Sequence, residues 1–163
     1  MFRVAIITSS DSGYRGERED KSGPVIRNIV EENGYEVVYT VLLPDEKDLI
    51  SAEMKKICDE NIADLILTTG GTGFSPRDCM PEATLAIGEK IVPGIPEAMR
   101  AYSMQFTKRA MLSRAAAVIR KSTLIINLPG SPKAVTECLE YIITELHHGL
   151  EILNEKTSNC ARK

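Results

Sequence analysis

Two aspartates placed just beyond apolar runs offer the main chemistry in this sequence: Asp45 in LPDE, residues 43 to 46, and Asp78 in SPRD, residues 75 to 78. Each stands in a loop next to proline after a predicted strand. Two carboxylates in such loops can share a hard divalent cation such as Mg2+, which takes oxygen ligands and leaves room for substrate phosphates. Each acid also has a plainer use, Asp45 as the cap of the following helix and Asp78 as the acceptor in a turn. The run TTGGTG, residues 68 to 73, precedes Asp78. Gly70, Gly71 and Gly73 clear side chains from the backbone, and Thr69, Thr72 and Ser75 add hydroxyl donors. That combination suits a phosphate or carboxylate cradle, and equally a tight turn that needs positive φ. The chain lacks both G-x-x-x-x-G-K-[ST] and G-x-G-x-x-G, which disfavours a standard P-loop or dinucleotide site.

Other loops add candidates. Ser9 and Asp11 lie in TSSDSG, residues 8 to 13, and Asp11 can assist the other acids or close an Asx turn. Pro129, Gly130 and Ser131 precede a long helix whose free N-terminal amides can hold an anion. Ser22 reads as a helix cap, while Lys21 either reaches a phosphate or faces solvent. Arg77 either neutralises a leaving phosphate or holds Asp78 in place. Lys108, Arg109, Arg114, Arg120 and Lys121 read as a solvated basic face. His147 and His148 are adjacent, so they point to different sides of a helix and make a poor metal pair. No Ser/His/Asp or Cys/His nucleophile system emerges.

The elements that must position these residues alternate. Strands are expected at 3 to 8, 36 to 42, 64 to 69 and 123 to 127, and the first does not alternate cleanly, as fits a strand covered on both faces. Helices follow: one opening at Ser22-Gly23-Pro24 with a stripe of Val25, Ile26, Ile29 and Val30, and one after Asp45 with Leu49, Ile50, Met54, Ile57 and Cys58 on its apolar face. Short helices are expected near 82 to 88 and 96 to 104, and a long one in which Val135, Leu139, Ile142, Leu146 and Leu153 recur. Residues 113 to 119 fit a helix or a weak strand. This alternation points to an α/β fold with a mostly parallel sheet between helices. The loops at 8 to 13, 68 to 73 and 127 to 132 then share the carboxyl edge, where ligands bind.

Residues 1 to 163 are read as one domain, with 157 to 163 a frayed tail. Lys plus Arg 20 against Asp plus Glu 23 leaves a formal charge of -3, and the dispersed basic residues argue against nucleic acid as a partner. No stretch is long and apolar enough for a membrane span, and the first apolar run ends in turn residues rather than as an export signal. Cys58, Cys79, Cys138 and Cys160 are too widely spaced for a paired zinc motif and read as small hydrophobes in a reducing compartment. The expectation is a soluble, cytoplasmic protein.

TTGGTGFSPRDCMPEAT, with LPDE, DKSGP at 20 to 24, SRAAAVIRKSTLIINLPGSPKA at 113 to 134 and the opening TSSD, resembles the molybdopterin adenylyltransferase family of molybdenum cofactor biosynthesis. The resemblance covers nearly the whole chain. It implies a three-layer α/β sandwich that assembles into homotrimers, ATP and molybdopterin as substrates, Mg2+ as the metal, and transfer of AMP to the pterin's terminal phosphate with release of pyrophosphate. It carries the family's two essential aspartates onto Asp45 and Asp78, and its glycine loop onto Gly70, Gly71, Thr72 and Gly73. The segments that hold the pterin phosphate fall on Ser113 and on Pro129, Gly130, Ser131 and Pro132. A molybdenum-insertion protein is the implied downstream partner. A sister branch keeps GGTG but loses both acids; this chain keeps them, and one departure from the common pattern is Cys79-Met80. The rival reading is a pterin-binding carrier without chemistry. A nucleotide-binding oxidoreductase is a weaker third, opposed by the missing dinucleotide fingerprint.

Overall fold

The computed structural model describes residues 1–155; the tail expected at 157 to 163, including Cys160, lies outside the described residues. A six-stranded sheet runs in the order β2-β1-β3-β6-β5-β4. Its strands are β1 (Arg3–Ser9), β2 (Glu36–Leu43), β3 (Leu65–Thr69), β4 (Lys90–Ile91), β5 (Ala117–Arg120) and β6 (Thr123–Leu128). β2, β1, β3 and β6 are parallel, while β5 turns back antiparallel on β6 and β4 pairs antiparallel with β5.

The helices are α1 (Asp11–Tyr14), α2 (Ser22–Glu32), α3 (Lys47–Asp59), α4 (Met80–Ile87), α5 (Gly94–Ser103) and α6 (Pro132–Leu153), with a 3-10 turn at Lys108–Leu112. One face of the sheet sends Val4, Ile6, Leu65, Leu67 and Ile126 against Ile26 and Val30 of α2, Met99 of α5 and Leu139 of α6. The opposite face sends Ala5, Ile7, Ile66 and Ile125 against Ile50, Met54 and Ile57 of α3 and Met80 and Ala83 of α4. Alternate residues of each central strand therefore enter two different cores. This explains runs such as LILTT, in which every residue is buried and no polar residue marks a solvent face. The sheet with helices on both sides is the three-layer α/β sandwich expected.

Two parts of the sequence reading change. Residues 113 to 119 resolve into a loop followed by β5, held by the hairpin that pairs Arg120 with Thr123. Leu49 is 53% exposed, because the buried stripe of α3 runs through Ile50, Met54, Ile57 and Cys58 and leaves Leu49 a turn-third away. Cys58 and Cys138 are buried as expected; burial pushes the Cys58 thiol up to about 11, which keeps it protonated.

The topology fixes where a ligand can sit. From β1 the chain crosses to β2 on one side, then returns to β3 on the other, so the segments after β1 and β3, adjacent at the strand ends, lead to helices on opposite faces of the sheet, which marks this carboxyl edge as the place for a ligand.

Candidate functional site

Thr69, the last residue of β3, hands the chain to Gly70 and Gly71, both at positive φ (90° and 72°). A Cβ on Gly70 would lie 2.2 Å from the carbonyl oxygen of Ser9, so the loops after β1 and β3 touch backbone to backbone. The loop after β6 joins them: Thr69 Oγ1 donates to Pro129 O at 2.6 Å, and Ser22 Oγ donates to Gly130 O at 2.7 Å. Three loops from distant parts of the chain are thereby tied into one edge, as the strand pattern requires.

Asp45 faces this edge from the loop after β2. Its carboxylate accepts from Ser9 Oγ at 2.5 Å and from the Asp11 amide at 3.1 Å, and its own amide donates to Asp11 Oδ1 at 3.0 Å. It does not cap α3, whose N-cap is Glu46 without a side-chain bond. The capping expectation is corrected: both carboxylate oxygens are engaged, one by Ser9 Oγ and the other by the Asp11 amide. Asp78 reaches the same loop from the other end: its Oδ2 accepts from the amides of Gly73 at 3.1 Å and Ser75 at 3.2 Å. A Cβ on Gly71 would stand 3.5 Å from Asp45 Oδ1, and one on Gly73 3.0 Å from Asp78 Oδ2. The two acids thus lie against glycines only two positions apart.

Ser22 is not the cap of α2 either. Lys21 holds the N-cap position without a side-chain bond, and the Asp20 carboxylate before it accepts from the amides of Ser22 at 3.1 Å and Gly23 at 3.0 Å, and from Thr8 Oγ1 at 2.8 Å. The Ser22 hydroxyl is released to bridge to Gly130. Ser131 does cap α6, accepting from the Ala134 amide at 3.2 Å. The N-termini of α2 and α6 therefore open into one cleft of about 570 Å³, lined by Ser9, Lys21, Ser22, Gly70, Gly130 and Ser131 among others. A second, mostly apolar cavity of about 290 Å³ lies across the glycine loop, where Thr72, Gly73, Ser113 and Pro129 meet Arg100 and Arg109. Ser75 is exposed at the outer turn and contributes its amide to Asp78.

Arg77 does not hold Asp78. It pairs with Asp11 through both carboxylate oxygens, at 3.0 and 3.1 Å, and with Glu46 at 2.9 Å, closing a clasp over the loops after β1, β2 and β3. The hydrogen bonds from Arg77, supported by the Asp45 amide, hold the Asp11 carboxyl below the usual aspartate range. A depressed folded pKa adds stability that is full above the ordinary aspartate value near about pH 4 and is lost as pH falls through the lower folded value. In Arg77→Gln, carboxyl NMR should place Asp11 back in the ordinary range, and stability should fall less steeply with acid below about pH 4. An unchanged Asp11 titration would contradict the clasp.

Arg114, read as part of a solvated basic face, is instead built into the site. Its amide donates to Thr72 O at 2.9 Å, Nε donates to Gly73 O at 2.7 Å, and the Nη2 group donates to Asp78 O at 3.1 Å. Its Nη1 group donates to both oxygens of Glu82, at 2.6 and 2.9 Å. Asn127, fully buried on β6, ties together the elements that flank that loop: Oδ1 accepts from the Ala116 amide while Nδ2 donates to Thr68 of β3 and Thr84 of α4. Neither role carried a local signal. Of the remaining basic residues, Arg120 and Lys121 are paired with Asp59, and Arg109 lines the smaller cavity.

Residues 5–148 match the family profile described as "Probable molybdopterin binding domain". The chain belongs to the MogA/MoaB family of molybdenum cofactor biosynthesis proteins. Among relatives of this family, a molybdopterin adenylyltransferase of Helicobacter pylori is 40% identical over 155 residues, covering 93% of this chain and 88% of the relative. The crystal structure of the molybdopterin biosynthesis enzyme MoaB of Thermus thermophilus superposes with a TM-score of 0.90 at 44% identity, covering 95% of this chain and 98% of that one. The tungsten cofactor synthesizing MoaB of Pyrococcus furiosus gives 0.83 at 37% identity, covering 93% and 96%. Among the described residues no helix is long and apolar enough to cross a membrane.

Proposed function

We propose that this protein is a molybdopterin adenylyltransferase, moving AMP from Mg-ATP to the terminal phosphate of molybdopterin with release of pyrophosphate. The observation that carries the reading is the pair of carboxylates, Asp45 and Asp78, set against Gly71 and Gly73 of the loop whose Gly70 lines the cleft of about 570 Å³. The adenylyltransferase name borne by the Helicobacter pylori relative supports it.

The donor set suits Mg2+. Among the described residues no three of His, Cys, Asp and Glu converge as a ready-made cage, so a cation here would complete its shell with water and phosphate oxygens, as Mg2+ does. Asp45 and Asp78 would hold it; when bound it offsets phosphate charge and stabilises departing pyrophosphate.

The reaction joins two anions, so alignment and charge compensation dominate. The pterin phosphate attacks the α-phosphorus, a new P–O bond forms, and the bond to the β-phosphate oxygen breaks with its electrons leaving on pyrophosphate. The attacking phosphate is already ionised, and no protein base is required. Amides of Gly70 and Gly71 and the helix end at Ser131 hold non-reacting oxygens in place, while the Ser22 and Gly23 amides stay with Asp20. The smaller cavity with Ser113 and Pro129 offers an apolar slot for the flat pterin, next to the same loop. The homotrimer is the family's assembly, and the apolar groove of Val92, Ile95, Tyr141 and Leu153 is a surface that such an assembly would cover. A cytoplasmic setting and a molybdenum-insertion protein as recipient complete the proposal.

A second reading, a pterin carrier without chemistry, is favoured by one observation: Asp78 already serves two loop amides as a turn acceptor. A pyrophosphate assay separates the two. The enzyme releases one pyrophosphate for each adenylylated pterin formed; pterin binding with no consumption of ATP would replace this reading with the carrier.

A further inference from the structure

We infer that Arg114 is the positioning residue for Asp78 and the glycine loop, a role that rests on the adenylyltransferase reading for its catalytic consequence. Gly73 and Asp78 are the two ends of one tight turn. The Asp78 carboxylate fastens that turn from inside through the amides of Gly73 and Ser75. The Arg114 guanidinium fastens it from outside through the carbonyls of Gly73 and Asp78, while its amide takes the carbonyl of Thr72. The turn is thus gripped on both its donor and its acceptor groups, and the direction of the Asp78 carboxylate is set between them.

The third edge of the guanidinium is occupied by Glu82, which receives two bonds from Nη1. This pairing anchors Arg114 to α4 and balances its charge, so the arginine is committed to the turn rather than offered to a phosphate. Arg114 also does not line the larger cleft. A planar fork with Nε–H and two NH2 groups can serve these acceptors together; the single ammonium of lysine cannot reach both carbonyls and the carboxylate in the same arrangement. Arg114 therefore acts through Asp78 and touches no reacting atom.

The test compares Arg114→Lys, Glu82→Gln, Asp78→Asn and the double variant Arg114→Lys/Asp78→Asn. In the ligand-free protein, amide hydrogen exchange at Gly73 and Ser75 should quicken by about tenfold or more in Arg114→Lys, and by less in Glu82→Gln, with strands β1 and β3 still protected. With Mg-ATP and molybdopterin, kcat of Arg114→Lys should fall by about tenfold or more while KM for ATP changes by less than about threefold. In the Asp78→Asn background the same substitution should lower the rate by less than about twofold, because the residue it positions is already disabled. If Arg114→Lys unfolds, Glu82→Gln carries the exchange and kinetic comparisons, since it keeps the arginine and loosens only its anchor. Unchanged exchange at both amides overturns the inference. So does a raised KM at constant kcat, which would make Arg114 a direct phosphate ligand, or a full additive loss in the double variant. A wild type that binds pterin but transfers no AMP defeats the adenylyltransferase reading alone, and the exchange measurement still decides the role of Arg114.

Discussion

Asp78→Asn is expected to fold normally and to lose turnover by about 100-fold to 1000-fold, the scale seen when one electrostatic stabiliser of a developing charge is removed. The fold survives because asparagine keeps an oxygen at the position that accepts from Gly73 and Ser75, so the turn retains both bonds. What is lost is the negative charge, which the turn does not need and a shared cation does. The substitution therefore separates the two uses of this residue. A urea midpoint within the equivalent of about 1 kcal/mol of wild type, beside a collapse in pyrophosphate release, is the expected pair of results. Equal activity in Asp78→Asn would remove Asp78 from the mechanism. Asp45→Asn should also lose turnover but be less benign to the fold: its carboxylate accepts from both Ser9 Oγ and the Asp11 amide, and an amide nitrogen at either position replaces an acceptor with a donor.

The largest stability effect belongs to Gly70→Ala. The new Cβ meets the Ser9 carbonyl at 2.2 Å and requires a residue with a side chain to sit at φ 90°. Neither contact can relax alone, because Ser9 ends β1 and Thr69 ends β3, and these strands are paired in register along their length. Strain at the backbone together with overpacking should destabilise the protein by about 3–5 kcal/mol. At roughly 2–4 °C per kcal/mol for a chain of this size, the melting temperature should drop by about 10 °C or more. Gly130→Ala is the comparison, since its Cβ would make only an ordinary 3.6 Å contact with Gly70. A Gly70→Ala protein that melts with wild type would contradict the close approach of the two loops.

The framework was legible because its signals are local. β3 and β6 read as strands from unbroken apolar runs, α6 from a recurring stripe, and the convergence of three loops from the order of those elements. The local reading of caps did less well. Ser22 and Asp45 both have capping residue types near helix starts, yet the N-cap positions fall on Lys21 and Glu46, while Ser22 and Asp45 are engaged by Gly130 and by Ser9 and Asp11. The first of these bonds spans 108 residues and the second 36. Arg114 was hidden for the same reason, its partners lying 32 to 41 residues back. Arg77 was expected to neutralise a phosphate or to hold its neighbour Asp78, and it pairs instead with Asp11 and Glu46, 66 and 31 residues back. The two-residue strand β4 was too short to carry any pattern.

The most direct measurement follows two labels in one reaction. With wild-type protein, Mg2+, molybdopterin and ATP labelled separately at the α- and γ-phosphates, the α label should appear in the adenylylated pterin and the γ label in pyrophosphate, one for one. A γ label on the pterin, or both labels remaining in ATP while the pterin is bound, would contradict the account.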